Sequence, residues 1–151
     1  MNKEKYKFRG MREDNKEWVY GDLDNREDRC IKILTAKKCP TLDVTTFQTK
    51  EVLPETVGMW TGLKDKDGVD IYEGDELSGE WIQETEYDTE HHEFKMLEVF
   101  YSSEVGAFVI PCTYEKYLKT PFENYLNFLY QVDMEKTTVT GNKFQREQSH
   151  N

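Results

Sequence analysis

The stretch Met59-Trp60-Thr61-Gly62-Leu63-Lys64-Asp65-Lys66-Asp67-Gly68-Val69-Asp70-Ile71-Tyr72 decides the fold class. Met59, Trp60 and Leu63 lead into a charged run that ends at Gly68, and Val69 to Tyr72 leads out of it. Asp-Gly supplies the positive φ that a tight hairpin turn needs, because glycine has no Cβ to clash with the backbone. The pattern is that of two antiparallel strands, and a helix over Lys64–Asp75 is incompatible with it. Glu73-Gly74-Asp75 repeats the turn chemistry before Glu76-Leu77.

The segments on either side read the same way. Tyr6 and Phe8 alternate with Lys5, Lys7 and Arg9, the period of a half-buried strand. Glu13 to Lys16 is turn chemistry, and Trp18-Val19-Tyr20 is a β-prone run closed by Gly21. Cys30 to Leu34 reads as a third strand, residues 35–46 as an irregular connection, and Phe47 to Val52 as an edge strand that Pro54 ends. Downstream, Trp81 and Ile82 precede an acidic stretch from Glu84 to Glu93, an exposed loop or a long solvent-facing hairpin tip. Phe94 to Tyr101 and Ala107 to Cys112 form a further hairpin.

One helix is expected over residues 120–131. Thr120, Pro121 and Glu123 make a capping box, and Phe122, Tyr125, Leu126, Leu129 and Tyr130 follow at i, i+3, i+4, i+7 and i+8. Residues 136–144 return to strand character, and the last seven look frayed. The expected fold is mainly β: a small antiparallel, strongly curled sheet or barrel-like sandwich of roughly eight to ten short strands. One amphipathic helix near 120–131 completes it, and residues 1–151 form one domain.

Composition limits the function. Aromatics at 13% are too rich for disorder, while 33% charged residues and a mean hydropathy of −0.86 exclude a bilayer-spanning apolar run. Met-Asn-Lys-Glu-Lys has no apolar stretch behind its charges, so no secretory signal is read and the expected location is cytoplasmic. The net charge of −10 is uneven: +3 over residues 1–50, −12 over 51–100 and −1 over 101–151. A duplex-binding protein presents a basic stripe to phosphates, so duplex nucleic acid is an unfavoured partner. The acidity serves solubility or a basic partner.

Motifs for chemistry are sparse. Cys30, Cys39 and Cys112 have neither disulfide-framework nor zinc-knuckle spacing, and read as free thiols. Aligning Gly68 with position six of an EF-hand loop puts Leu63 at position one and Gly74 at position twelve, where ligands are required. His91 and His92 sit in Glu90-His91-His92-Glu93, where a strand would send the two rings to opposite faces, so a metal site there is the minor reading. No G-x-S-x-G elbow or P-loop occurs, and no cofactor is expected. Trp18, Tyr20, Trp60, Tyr72 and Trp81 lie on strands beside turns, where most rings fill the core and one or two line a groove or a contact.

Thr56-Val57-Gly58-Met59-Trp60-Thr61-Gly62-Leu63-Lys64-Asp65-Lys66-Asp67-Gly68, running into Ile71-Tyr72-Glu73-Gly74-Asp75, closely resembles the signature of the YopX-like family. Lys7-Phe8-Arg9-Gly10 with Glu17-Trp18-Val19-Tyr20-Gly21-Asp22-Leu23 is similar to its opening block, and Val139-Thr140-Gly141-Asn142 to its closing strand. The three blocks keep the family's order over nearly the whole chain. Two departures stand out: Met59-Trp60 replaces the common Gln-Tyr, and residues 78–135 are long. The resemblance implies a mainly β protein encoded by bacteriophages and prophages, and it brings no activity, cofactor or catalytic residue.

Three readings of function follow from the resemblance and the missing catalytic motifs. The first is a non-enzymatic phage or prophage accessory protein that binds a host or phage protein, for host modulation or counter-defence. Its candidate contact residues are Trp60, Lys64, Asp65, Asp67, Tyr72, Glu73, Asp75, Trp81, Glu84, Glu86, Asp88 and Glu90. The second is an oligomeric binder of a small nucleotide-like ligand, and the third a carboxylate-based enzyme. Three Trp and 17 Tyr and Phe residues are hard to bury in so polar a chain, which predicts a homo-oligomer joined through the 120–131 helix or an edge strand. Repulsion along residues 84–93 is expected to keep that stretch extended and dispensable for folding.

Overall fold

The computed structural model describes residues 8–24, 31–38, 41, 44–84, 87–111, 126–128 and 132–148. The chain divides into two compact units, Met1–Trp60 and Thr61–Asn151. Both are built from antiparallel strands, twelve among the described residues against the eight to ten expected.

The first unit holds β1 (Phe8–Met11), β2 (Trp18–Asp24), β3 (Ile31–Lys38) and β4 (Thr45–Val52), ordered β4-β3-β2-β1. Strand β5 (Gly58–Lys64) begins here, with Met59 opposite Phe8 and Gly58 opposite Arg9. Strands β3 and β4 pair without a register shift from Ile31↔Val52 to Lys38↔Thr45. Within the irregular connection expected over 35–46, residues 35–38 and 45–46 are ladder, because Thr35, Thr45 and Thr46 are strand formers with a partner strand. Strand β4 lies at the sheet edge, as its Pro54 ending predicts. Its last residue, Val52, bridges back to Arg12, and the Leu53 N–H donates to the Met11 carbonyl at 2.9 Å. Met11, Ile33 and Val52 are buried.

The second unit carries the end of β5, β6 (Asp70–Tyr72), and two three-stranded sheets. One is ordered β12-β7-β8, from β7 (Asp75–Glu84), β8 (Thr89–Glu98) and β12 (Thr138–Asn142). The other is ordered β11-β10-β9, from β9 (Phe100–Ser102), β10 (Ala107–Pro111) and β11 (Leu126–Phe128). Ile71, Leu77, Trp81, Phe94, Val99, Ile110 and Val132 form its core. The Lys64–Asp70 connection is the hairpin read from Asp67-Gly68. Gly68 takes φ +80° in open space, and its N–H donates to the Asp65 carbonyl at 3.0 Å.

Two further expectations are corrected. Within the helix placed at 120–131, residues 126–128 are a strand, with Phe128 opposite Val109 and Leu126 opposite Pro111. Leu126-Asn127-Phe128 also alternates apolar and polar, so three residues fit both periods and strand pairing decides. The rest of that segment lies outside the described residues, as do Cys30, Cys39 and Cys112. The second correction is at the C-terminus, where Lys143–Gln148 is an α-helix, α1, against strand character expected through residue 144 and fraying from residue 145. Asn142 caps it, its Oδ1 accepting the Phe144 N–H at 3.0 Å. No helix among the described residues is long and apolar enough to cross a membrane.

Candidate functional site

The hairpin formed by β5 and β6 is organised by one carboxylate. Asp65 is 6% exposed. Its Oδ1 accepts the N–H groups of Asp67 and Val69, each at 2.9 Å, and its Oδ2 accepts the N–H of Val139 on β12 at 3.0 Å. Burial alone would disfavour the charged form. The Val139, Val69 and Asp67 amides, with Lys66 nearby, outweigh it and hold the carboxyl below the ordinary Asp range. The Lys66 N–H adds a 3.0 Å bond to the Thr137 carbonyl, so the turn is tied to the strand that closes the chain.

Asp75, 2% exposed, repeats this arrangement at the second turn. Its Oδ2 accepts the Tyr72 N–H at 2.8 Å and its Oδ1 accepts Asn142 Nδ2 at 3.3 Å. Gly74, at φ +85°, donates its N–H to the Val99 carbonyl at 2.8 Å and accepts the Lys143 N–H at 3.2 Å. Helix α1 is pinned beside it by Lys143 to Glu98 at 2.6 Å and Arg146 to the buried Glu76 at 2.8 Å. Blocks that stand some seventy residues apart are thus one hydrogen-bonded unit.

The YopX family model matches residues 7–146. The chain belongs to the YopX protein family. No curated protein and no solved structure matches it. The YopX signature in this chain consequently has a structural content: Asp65 and Asp75 are fastened to the closing strand by their own carboxylates.

The candidate contact residues fall into three groups. Asp65, Asp75, Tyr72 and Trp81 face inward, the rings 3% and 5% exposed. Lys64, Asp67 and Asp88 are exposed; Lys64 pairs with Asp70 at 2.6 Å, and the Asp88 Oδ1 accepts the Thr89 N–H at 2.8 Å. Trp60, Glu73 and Glu90 are half-buried, Glu73 accepting the Tyr101 N–H at 3.2 Å. Glu84 ends β7, while its side chain and all of Glu86 lie outside the described residues.

The acidic stretch is a hairpin, the second of the two alternatives. Strands β7 and β8 pair out to Glu84↔Thr89, with a bulge between Leu77 and Gly79. Its Thr89–Glu93 part is paired strand, in which His92 lies opposite the core residue Trp81 and stacks on it, ring centroids 4.4 Å apart. His92 Nε2 is 3.4 Å from Glu90, and His91 Nδ1 is 3.4 Å from Glu80 on the facing strand. The Lys136 ammonium, hydrogen-bonded to Glu80 at 2.6 Å, holds that carboxyl below its usual range and is itself raised by it. Among the described residues no group of three His, Cys, Asp or Glu is placed to hold a metal ion.

Sequence reading missed this Glu80–Lys136–His91 cluster and the Asp75–Asn142 bond. The first carries no local signal. For the second, Asp75 and Asn142 each stand in a family-like block, and only the closed fold brings the two side chains into contact.

Proposed function

We propose that this YopX protein is a non-enzymatic binding protein that engages a host or phage protein through the tip of the β7–β8 hairpin. One observation carries the reading: Tyr87, in the turn of that hairpin, is 94% exposed. A bare aromatic on a two-stranded scaffold is an anchor for a partner, since Tyr brings large contact area and few rotatable bonds. Asp88 and, in sequence, Glu84, Glu86 and Glu90 surround it. The second unit carries 8 Lys/Arg against 19 Asp/Glu, a net −11, while the first carries 12 against 11, a net +1. A partner with a basic rim around an apolar pocket fits this surface, and its association is steered by charge. The YopX family is not a known enzyme family, which agrees with a binding role.

A photo-crosslinking amino acid at position 87, expressed in a bacterial host, tests the reading. The expected result is a discrete protein adduct that fades as salt rises from about 0.1 M to about 0.5 M. An adduct pattern equal to that of the same probe at Val105, exposed in the turn before β10, contradicts it.

A further inference from the structure

Among the described residues, the first unit presents an open strand edge at Phe47–Lys50, beside a groove. Strand β4 pairs with β3 on one side along its full length. On the other side it meets Arg12 at Val52, and among the described residues no strand pairs with its Phe47–Lys50 part. Alternate residues of an edge strand direct N–H and C=O groups away from their sheet, and proteins usually blunt such edges with charge, proline or a bulge. Residues 45–49, Thr-Thr-Phe-Gln-Thr, contain none of these, and the β3–β4 register is unbroken.

Next to this edge is a groove of about 550 Å³, lined by Arg12, Glu13 and Asp14 of the β1–β2 turn, by Lys32, and by Thr49, Lys50 and Glu51. Its charges are matched unequally. Arg12 is bonded to Asp14, and Lys32 lies 3.9 Å from Glu51. Lys50, half-buried, has no carboxylate within ion-pair distance among the described residues. Three residues along the strand, and hence on the opposite face, Phe47 is 66% exposed.

We propose that this groove binds an extended peptide segment of a partner protein, which adds to the β4 edge as a further strand. The edge supplies main-chain hydrogen bonds, and two side chains supply selectivity. A carboxylate opposite Lys50 neutralises its ammonium, and an apolar side chain opposite Phe47 covers the ring. Because paired strands advance together, these two peptide residues stand three positions apart and on opposite faces of the added strand. The site uses residues of the first unit only and shares none with the acidic hairpin.

The test pans random peptides of about ten residues against the full chain and maps one enriched sequence by amide chemical-shift changes. Enriched peptides should share an acidic and an apolar residue three apart, and should perturb Thr45–Glu51 and Arg12–Asp14. Lys50→Glu should weaken the mapped peptide by at least about tenfold, as should methylation of its alternate backbone nitrogens. If Lys50→Glu lowers thermal stability, Lys50→Gln serves in its place. No enrichment, shifts elsewhere in the chain, or indifference to both Lys50 variants overturns the proposal. Concentration-dependent dimers whose interface maps to Thr45–Glu51 would put a second copy on this edge and overturn it as well.

Discussion

The Asp65 carboxylate accepts the Val139 N–H at 3.0 Å across 74 residues of chain. A carboxylate this enclosed, bonded to three backbone amides, is a fastener between the central hairpin and the closing strand.

Asp65→Asn should therefore destabilise the protein by about 2 kcal/mol, because an amide cannot accept from all three N–H groups and leaves one buried donor unpaired. Urea unfolding should show a lower midpoint with an unchanged slope. An unchanged midpoint would mean that the hairpin is held by other contacts.

The same group sets an acid limit. Its folded carboxyl lies below the ordinary Asp range, so its stabilisation is complete above the unfolded-state value and disappears as pH falls through the folded one. Stability should decline below about pH 4, and Asp65→Asn should flatten that decline. Thermal midpoints of both proteins between pH 2 and pH 7, values bracketing the titration of about pH 4, give the comparison.

Asn142 has two duties, donating to Asp75 and capping α1. Asn142→Ala should cost about 1–3 kcal/mol and release Lys143–Gln148 first. Hydrogen exchange would show this as faster exchange in α1 than in β7. Uniform acceleration throughout the second unit would argue against a local cap.

At the β7–β8 hairpin, tip and stem should separate. Tyr87→Ala, fully outside the core, should change stability by less than about 0.5 kcal/mol, whereas Phe94→Ala should cost about 3–5 kcal/mol. Calorimetry on the two variants distinguishes a supported hairpin from a detachable loop.

Much of this was legible in the sequence. The Asp-Gly turn and the Pro54-terminated edge strand carry short-range signals that residue type alone reveals, whereas the alternation expected around Phe8 and Arg9 does not hold in β1, where Phe8 is half-buried and Arg9, Gly10 and Met11 are all buried. Leu126–Phe128 was not legible, because a three-residue strand inside a helical stripe is chosen by its partner β10 and not by its own period. At the site, acidic residues could be read as exposed from their type. That Asp65 and Asp75 turn inward depends on backbone amides, and every residue but proline supplies one. The exposed Tyr87 was visible as the lone aromatic of an acidic run, but its position in the turn of a stable hairpin was not.

The most direct test of the binding account joins two readings on one variant, Tyr87→Ala with Glu84, Glu86, Asp88 and Glu90 changed to the neutral amides. Affinity capture from a bacterial host at low salt is measured beside the urea midpoint. The account predicts loss of the stoichiometric partner that the unchanged chain retains, with the midpoint unaltered. A folded variant that still holds that partner, and at the same salt dependence, would contradict it.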